Sequence, residues 1–530
     1  MLHYLLPIPF LALVGCAPGV VKIEDSATVE TDTDTDTDTD ADADTDTPTG
    51  PLGDCEADPD LAVVSVETSS FPGLTLGARL DVSLSKSADL GVVCYRDGDA
   101  DVLYWESAAA ASHQIDLLGL APNATYACTA APVCPHMTLD GALFTVTTGA
   151  SPAQLPGLEV EHHATLTPAD PPYLLLNSGP CSINGEATYL AMFDLDGIPR
   201  WYSTLPAGLW ADVTADYLGG GEMSWGGGYS TGGAAHRTDM LGNVLHAAAF
   251  PGSNTITFTH EGHVLPDGRF LSFAWVNNTR GRDTWSGFEI YISNVDDELE
   301  WEWNTQGGSD AGLLPSGRGA DAHGNWAELV DRDDGSQRVY ASACYWDTIL
   351  AIDVPTGDIL WRFGPDGDFT VVDETGAPLG DDGFSDCQHG IDIDGDRMLV
   401  YDNGMDRAYS RVSEYALDEA NGIATRLWTW TEDGWDADWL GDADYLGGER
   451  VLLTQGEQDC AWSSGDAVKS KVTEVDRASG EVVWRGTFDT EDNLTYRSQR
   501  VDACDVMPNL RWCAGAAAAL ADVAGLFPAG

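Results

Sequence analysis

The sequence predicts an all-β protein, a six-bladed β-propeller preceded by a small β-sandwich. Three observations carry this. First, one phrase recurs six times between residues 156 and 515: an acidic turn, in most copies with Gly, followed by an apolar strand that often ends in Trp. The copies are Asp194-Leu195-Asp196-Gly197-Ile198-Pro199-Arg200-Trp201, Asp239-Met240-Leu241-Gly242-Asn243-Val244-Leu245-His246, Val295-Asp296-Asp297-Glu298-Leu299-Glu300-Trp301 (without the Gly), Asp353-Val354-Pro355-Thr356-Gly357 running to Trp361, Leu417-Asp418-Glu419-Ala420-Asn421-Gly422 running to Trp428, and Asp476-Arg477-Ala478-Ser479-Gly480 running to Trp484. Between turn positions 197, 242, 297, 357, 422 and 480 the steps are 45, 55, 60, 65 and 58 residues. Four-stranded blades repeat at roughly 40–50 residues, so these are blades with added loops. Second, a Gly-turn hairpin interleaves with the first phrase at Pro266-Asp267-Gly268-Arg269, Asp394-Gly395-Asp396 and Leu446-Gly447-Gly448-Glu449. Third, 18 Trp, 17 Tyr, 14 Phe and 58 Gly suit many short strands and tight turns.

The chain starts with an apolar run ending at Leu13-Val14-Gly15-Cys16. It resembles a bacterial lipoprotein signal (residues 1–15), although no Lys or Arg precedes the cysteine. The resemblance implies cleavage before Cys16, lipidation of its sulfur and, with Ala17 following, export and anchoring to the outer membrane. That lipid is the one membrane contact expected. Residues 16–54 read as a disordered acidic linker. Within them residues 31–47 alternate Thr or Ala with eight Asp and have no large apolar side chain to bury.

Residues 55–150 read as the sandwich. Short alternating runs at 62–66 and 79–83 are strands, and Phe144-Thr145-Val146-Thr147-Thr148 is the last. Leu120-Ala121-Pro122-Asn123-Ala124-Thr125-Tyr126 resembles the fibronectin type III corner, with Tyr126 as the corner tyrosine. A spacer or docking role is expected, with His113 and His136 on the surface. The propeller follows over 156–515, and 516–530 is a C-terminal tail.

A formal net charge of -61 excludes nucleic acid and anionic membrane surfaces as partners. It also requires any anion site to be locally cationic or rich in N–H donors. Of the eleven cysteines, ten remain beside Cys16, which suggests up to five disulfides of undetermined pairing.

Three histidines stand at or just before expected inner strands: His260 in Thr259-His260-Glu261-Gly262-His263, His323 in Ala322-His323-Gly324-Asn325, and His389 in Gln388-His389-Gly390. Their steps of 63 and 66 residues are close to one blade each, so they converge on one axis. His389 opens residues 385–404, a strand–turn–strand unit ending in Asp402-Asn403-Gly404. Histidines so placed can act as nucleophile or acid/base groups, or can hold each blade together by hydrogen bonds. No tight HxH or HxxxH pair marks a metal site, and no cofactor is expected.

His260 with Leu265-Pro266-Asp267-Gly268, His323-Gly324-Asn325, Trp361-Arg362-Phe363-Gly364, Gln388-His389, Asp402-Asn403-Gly404, Ser410-Arg411 and Tyr496-Arg497 together resemble the bacterial arylsulfate sulfotransferase family. The resemblance implies a six-bladed propeller that moves a sulfuryl group from an aryl sulfate to a phenol through a sulfo-histidine. His389 would be the nucleophile, with His260 and His323 binding sulfuryl oxygens or assisting the leaving phenol. Arg411, Arg318, Trp326 and Asn403 are the expected substrate-binding residues, and Trp275 and Trp346 are further aromatics that could flank an aryl ring. The family's arginine after the second histidine is absent from Tyr340-Ala341-Ser342-Ala343-Cys344-Tyr345-Trp346-Asp347, where Cys344 or Tyr345 takes its place. The alternative function is a non-catalytic cell-surface propeller that binds a ligand or protein.

Overall fold

The computed structural model describes residues 60–513 apart from 97–100, 134–140, 164–166, 168–169, 181–186, 207–208, 210–211, 229, 232–234, 251, 254–255, 408, 438, 457–468 and 492. The expected signal, Cys16, the acidic linker, the tail at 516–530, His136 and Cys55, Cys134, Cys181 and Cys460 lie outside the described residues. The described chain is nearly all-β, in seven sheets, with one short α-helix at Thr305–Asp310.

The first sheet contains Val63–Ser70, Ala78–Arg96, Val102–Leu117, Thr125–Pro132 and Ala142–Thr147. Tyr126 is fully buried. Its hydroxyl accepts the Ala121 N–H at 2.9 Å and donates to Asp101 at 2.6 Å. An upstream backbone bond of this kind is what a corner tyrosine makes. Contrary to expectation, His113 is not on the surface: it is buried, with its ring nitrogens against Ser107 Oγ and the Ala110 carbonyl. This sheet is fastened to the strands that follow by the buried Arg200, which donates to Asp101 at 2.8 Å and to Asp194 at 2.7 Å. Two carboxylates around one buried guanidinium satisfy charge and hydrogen bonds together.

Six further sheets follow in chain order. They are Tyr173–Pro180 to Pro199–Thr204, Val213–Gly219 to Val244–Ala247, Thr257–Val264 to Leu299–Asn304, Gly324–Asp331 to Ile359–Phe363, Gln388–Asp394 to Ile423–Trp430, and Asp442–Tyr445 to Val482–Phe488. The two ends of the region are stitched together. Leu158–His162 pairs with Val482–Phe488, and Ser498–Val501 pairs with Tyr173–Pro180.

Each repeated acidic turn joins the last two antiparallel strands of one of these sheets. The turn residue is left-handed every time, with φ of 77° at Gly197, 81° at Gly242, 62° at Asp297, 73° at Gly357, 63° at Gly422 and 74° at Gly480. The copy without Gly thus keeps the geometry, because Asp is among the few side chains that tolerate this region. The tryptophans link sheet to sheet. Trp201 donates its indole N–H to Met240 O, Trp303 to Gly357 O, Trp430 to Gly480 O and Trp484 to Leu195 O. In each case a strand binds the outer turn of a neighbouring sheet, and the last bond returns from the sixth sheet to the first. In the third and fifth sheets the donor lies two residues beyond the tryptophan of the repeat, at Trp303 and Trp430.

Three disulfides occur among the described residues: Cys94–Cys128, Cys344–Cys387 and Cys504–Cys513. Neither sequence separation nor the repeat indicates these partners.

Candidate functional site

Asp212, His260, His323, His389, Asp442 and Arg497 lie at or beside the first strands of the six sheets (Ser498–Val501 for the first). A register shift interrupts the pairing of Thr257–Val264 between Phe258 and Gly262, of Gly324–Asp331 between Gly324 and Trp326, and of Gln388–Asp394 between Gln388 and Ile391. Such bulges re-aim side chains out of strand alternation. His260 and His323 also take left-handed backbones, with φ of 60° and 43°. For a non-Gly residue this costs of order 1–3 kcal/mol, and the surrounding structure must impose it. The glycine after His389 has a steric reason: a Cβ on Gly390 would fall 2.1 Å from Asp442 Oδ1.

The three imidazoles meet. Ring centroids are 5.5 Å apart for His260–His323 and 6.2 Å for His323–His389. His389 is 1% exposed. Its Nδ1 lies 2.7 Å from Asn403 Oδ1, while Asn403 Nδ2 donates to the carbonyls of Ala437 at 2.6 Å and Leu440 at 2.9 Å. Those two carbonyls accept only, so the Asn403 amide presents its oxygen to the ring. His389 Nδ1 must therefore carry the proton, leaving the lone pair on Nε2. The Cys344–Cys387 disulfide and the bond from Cys387 N–H to Asp347 Oδ1 anchor the segment leading into His389 to the preceding sheet.

All three rings are neutral at neutral pH. Burial, then the charges of His323, His389 and Arg497, hold His260 well below the usual histidine range. Burial, then His323 and Arg497, do the same for His389. Burial pushes His323 down to about 4.

Arg497 is the hub beneath them. Its Nη2 donates to Glu261 at 2.7 Å and to the carbonyls of His389 at 3.1 Å and Asn325 at 3.2 Å, and its Nη1 donates to Gly441 O. One guanidinium thereby fixes the height of four sheets. Burial opposes its charge, but Asp442, Tyr496 and Glu261 keep it protonated. Sequence reasoning noted Arg497 in the Tyr496-Arg497 pair but not as a site residue. Nothing in the sequence separates it from neighbouring arginines.

The mouth is aromatic. Tyr345 stacks on His323 at 4.9 Å, Trp439 lies 5.6 Å from His323, and Trp275 lies 6.0 Å from His323 and 6.3 Å from His260. These three large side chains are 48%, 39% and 38% exposed, unlike most aromatics here. Trp439 carried no signal in the sequence, because it sits in an irregular loop.

Several expected binding residues are elsewhere. Trp326 follows the bulge and turns into an apolar cluster with Tyr340, Trp361 and Phe363. Trp346 packs into another cluster and donates to Ala320 O. Arg411 is consumed by Asp402, Asp382 and the Phe384 carbonyl, and these bonds engage its guanidinium away from the imidazoles. Arg318 is exposed in the loop ahead of His323. Asn403 does meet His389, as the partner that orients its ring.

Behind the histidines is a charged cavity of about 500 Å³ lined by Asp216, Glu261, His263, Glu328, Asp392, Asp442 and Asp444 among others. His263 faces this side, between Asp216 at 2.9 Å and Glu261 at 2.8 Å. Burial opposes its proton, but those two carboxylates hold its pKa well above the usual range. Among the described residues no group of three or more His, Cys, Asp or Glu side chains is disposed to hold a metal ion.

Residues 161–497 match the family model described as Arylsulfotransferase (ASST). No curated protein matches. Solved structures with some likeness include the hydrazine synthase of Kuenenia stuttgartiensis, at 16% identity over 50% of this chain and 62% of that chain, with a TM-score of 0.30. An apocarotenoid oxygenase of Synechocystis shows 12% identity over 63% and 80%, with a TM-score of 0.32. The dihydro-heme d1 dehydrogenase NirN shows 10% identity over 78% and 75%, with a TM-score of 0.32. At such identities and TM-scores these likenesses say nothing about chemistry.

Proposed function

Because this chain belongs to the arylsulfotransferase family, we propose that it moves a sulfuryl group from an aryl sulfate to a phenolic acceptor through a sulfo-histidine at His389. The observation that carries this reading is His389 itself: a buried neutral ring whose proton is held at Nδ1 by Asn403. In the first half-reaction the Nε2 lone pair attacks sulfur and the N–S bond forms. The bond from sulfur to the aryl oxygen breaks, its electron pair goes to that oxygen, and the oxygen takes up a proton. Asn403 Oδ1 then steadies the positive charge that the ring acquires. In the second half-reaction the acceptor's oxygen attacks sulfur, loses its proton, and the N–S pair returns to Nε2. His260 and His323 are the adjacent groups that donate to sulfuryl oxygens and relay protons. Trp275, Tyr345 and Trp439 flank the aryl ring.

The same reading takes the six sheets as blades of one propeller, with the sheet at 63–147 as a fibronectin type III-like sandwich. The turn repeat, the tryptophan bonds and the stitched ends support it. Export and lipid anchoring at Cys16 rest on the sequence before residue 17, and three disulfides suit an oxidising compartment.

A binding-only role has one observation in its favour. Cys344 or Tyr345 stands where the resemblance implies an arginine, and both terminal nitrogens of Arg497 are already engaged. Incubating the protein with a chromogenic aryl sulfate and a phenol, wild type beside His389→Ala, separates the readings. Sulfuryl transfer requires phenol release by the wild type and its loss in the variant. No release by the wild type refutes transfer, and equal release from both refutes His389 as nucleophile.

A further inference from the structure

The first half-reaction needs a proton for the departing phenolate, yet His260, His323 and His389 are all neutral at rest. Asp212, just before the strand Val213–Gly219, is 6% exposed. Its Oδ2 is 3.8 Å from His260 Nε2. The Thr259 hydroxyl lies 2.7 Å from His260 Nδ1 and 3.5 Å from the same Oδ2. The other oxygen, Oδ1, has no hydrogen-bond partner among the described residues. A buried ionised carboxylate left that way is costly, so the group keeps its proton.

Resting on the sulfuryl-transfer reading, we infer that Asp212 is a positioning residue that stores the leaving-group proton and passes it to His260. The groups that face it agree. They are His260, Thr259 and Glu261 on one strand, and Tyr496 from the segment before Ser498–Val501; none is a cation at rest. Strand Glu222–Gly227 contributes backbone only, through Gly227, whose absent Cβ would lie 2.7 Å from His260 O and 2.8 Å from Asp212 O. Burial raises the Asp212 carboxyl to about 8. When the anionic donor binds, its charge draws the proton of the Thr259 hydroxyl onto His260 Nδ1 while Asp212 Oδ2 gives its own to that hydroxyl, and an imidazolium–carboxylate pair is left with a proton on Nε2. As the bond from sulfur to the aryl oxygen breaks, that oxygen takes the proton from Nε2. The acceptor phenol later returns one by the same route, so protons balance over the cycle.

The test compares two donors on the full chain: phenyl sulfate, whose phenolate is a poor leaving group, and 4-nitrophenyl sulfate, whose phenolate is a good one. A stored proton matters for the first far more than for the second, since general acid catalysis contributes about 100-fold or more where it is needed. Asp212→Asn is expected to lose about 100-fold more kcat/KM with phenyl sulfate than with 4-nitrophenyl sulfate, and Asp212→Glu to recover part of the difference. In the wild type, the ratio of phenyl to 4-nitrophenyl sulfate kcat/KM should fall as pH rises through about 8. That ratio cancels acceptor ionisation and needs no variant to fold. Equal losses with both donors, or a ratio flat through that pH, overturn the role of Asp212 while leaving sulfuryl transfer standing. Wild-type turnover of neither donor refutes both.

Discussion

Replacing Asn403 by Leu tests the claim that one amide decides which nitrogen of His389 is reactive. Leu has nearly the shape of Asn but can neither accept from Nδ1 nor donate to the carbonyls of Ala437 and Leu440. Three buried groups lose their partner at a fully buried position. At about 1–3 kcal/mol each, the variant should lose roughly 3 kcal/mol or more of stability. The catalytic effect is separate. A net hydrogen bond of about 1–1.5 kcal/mol biases the tautomer about tenfold, and burial strengthens it. The expected fall in kcat is therefore about 10- to 100-fold, measured with an aryl sulfate well below the variant's melting temperature. Asn403→Asp keeps the acceptor, so it should hold the tautomer while still losing the two donor bonds. Nitrogen-15 NMR of the labelled histidine ring reads the proton directly and needs no substrate. A wild-type His389 protonated at Nε2, or an Asn403→Leu protein that melts lower yet keeps full kcat, would refute the reasoning.

The other predictions concern the mouth and the charged cavity. Tyr345→Arg places a guanidinium beside His323 and should lower KM for the anionic donor about tenfold, since a hydrogen bond to a charged group contributes about 1.5–3 kcal/mol; an unchanged KM would show that sulfate does not pass this ring. Trp439→Ala should raise KM for aryl donors about 3- to 10-fold, from about 0.5–1.5 kcal/mol of aromatic contact, with little change in melting temperature because the side chain is 39% exposed. Glu328 is raised to about 8 by burial and then by Asp392. As pH climbs above the ordinary 4.5, the unfolded chain ionises this group first, so folding loses stability until the folded group also ionises near 8. Glu328→Gln should therefore stabilise the protein by about 4 kcal/mol at pH 8 and by almost nothing at pH 4, read as the pH dependence of melting; equal shifts at both values would contradict it.

How much of this was legible in the sequence depends on what each residue answers to. The acidic turns are local: a left-handed position needs Gly or a short acid, so spacing alone placed all six, even Asp297. Histidines at steps of one sheet were also legible, because a repeat carries equivalent positions to equivalent places. Three things were not. The disulfide partners Cys344 and Cys387 come together because one directly follows the strand Gln337–Ala343 and the other precedes His389, a fact of register. Trp326 looked like a site residue until a one-residue bulge turned it into the core, and bulges leave no reliable trace in composition. Arg411 and Arg497 look alike in sequence; what divides them is which carboxylates and carbonyls the fold has already placed within reach.

That last difference also adds to what burial does first in keeping neutral histidines at the centre of so acidic a chain. Carboxylates facing imidazoles would normally keep them protonated, as Asp216 and Glu261 do for His263. His260 and His389 lie on the other side of Arg497, which takes up the charge of Glu261 and Asp442 and itself opposes a second positive charge. The guanidinium is thus an electrostatic partition between a charged layer and a neutral one. Its removal should raise the pKa of both histidines as well as weaken the fold. Arg497→Met, followed by histidine titration in the NMR spectrum, reads this directly: histidine pKa values no higher than in the wild type would mean that burial alone keeps the rings neutral and that the partition is not electrostatic.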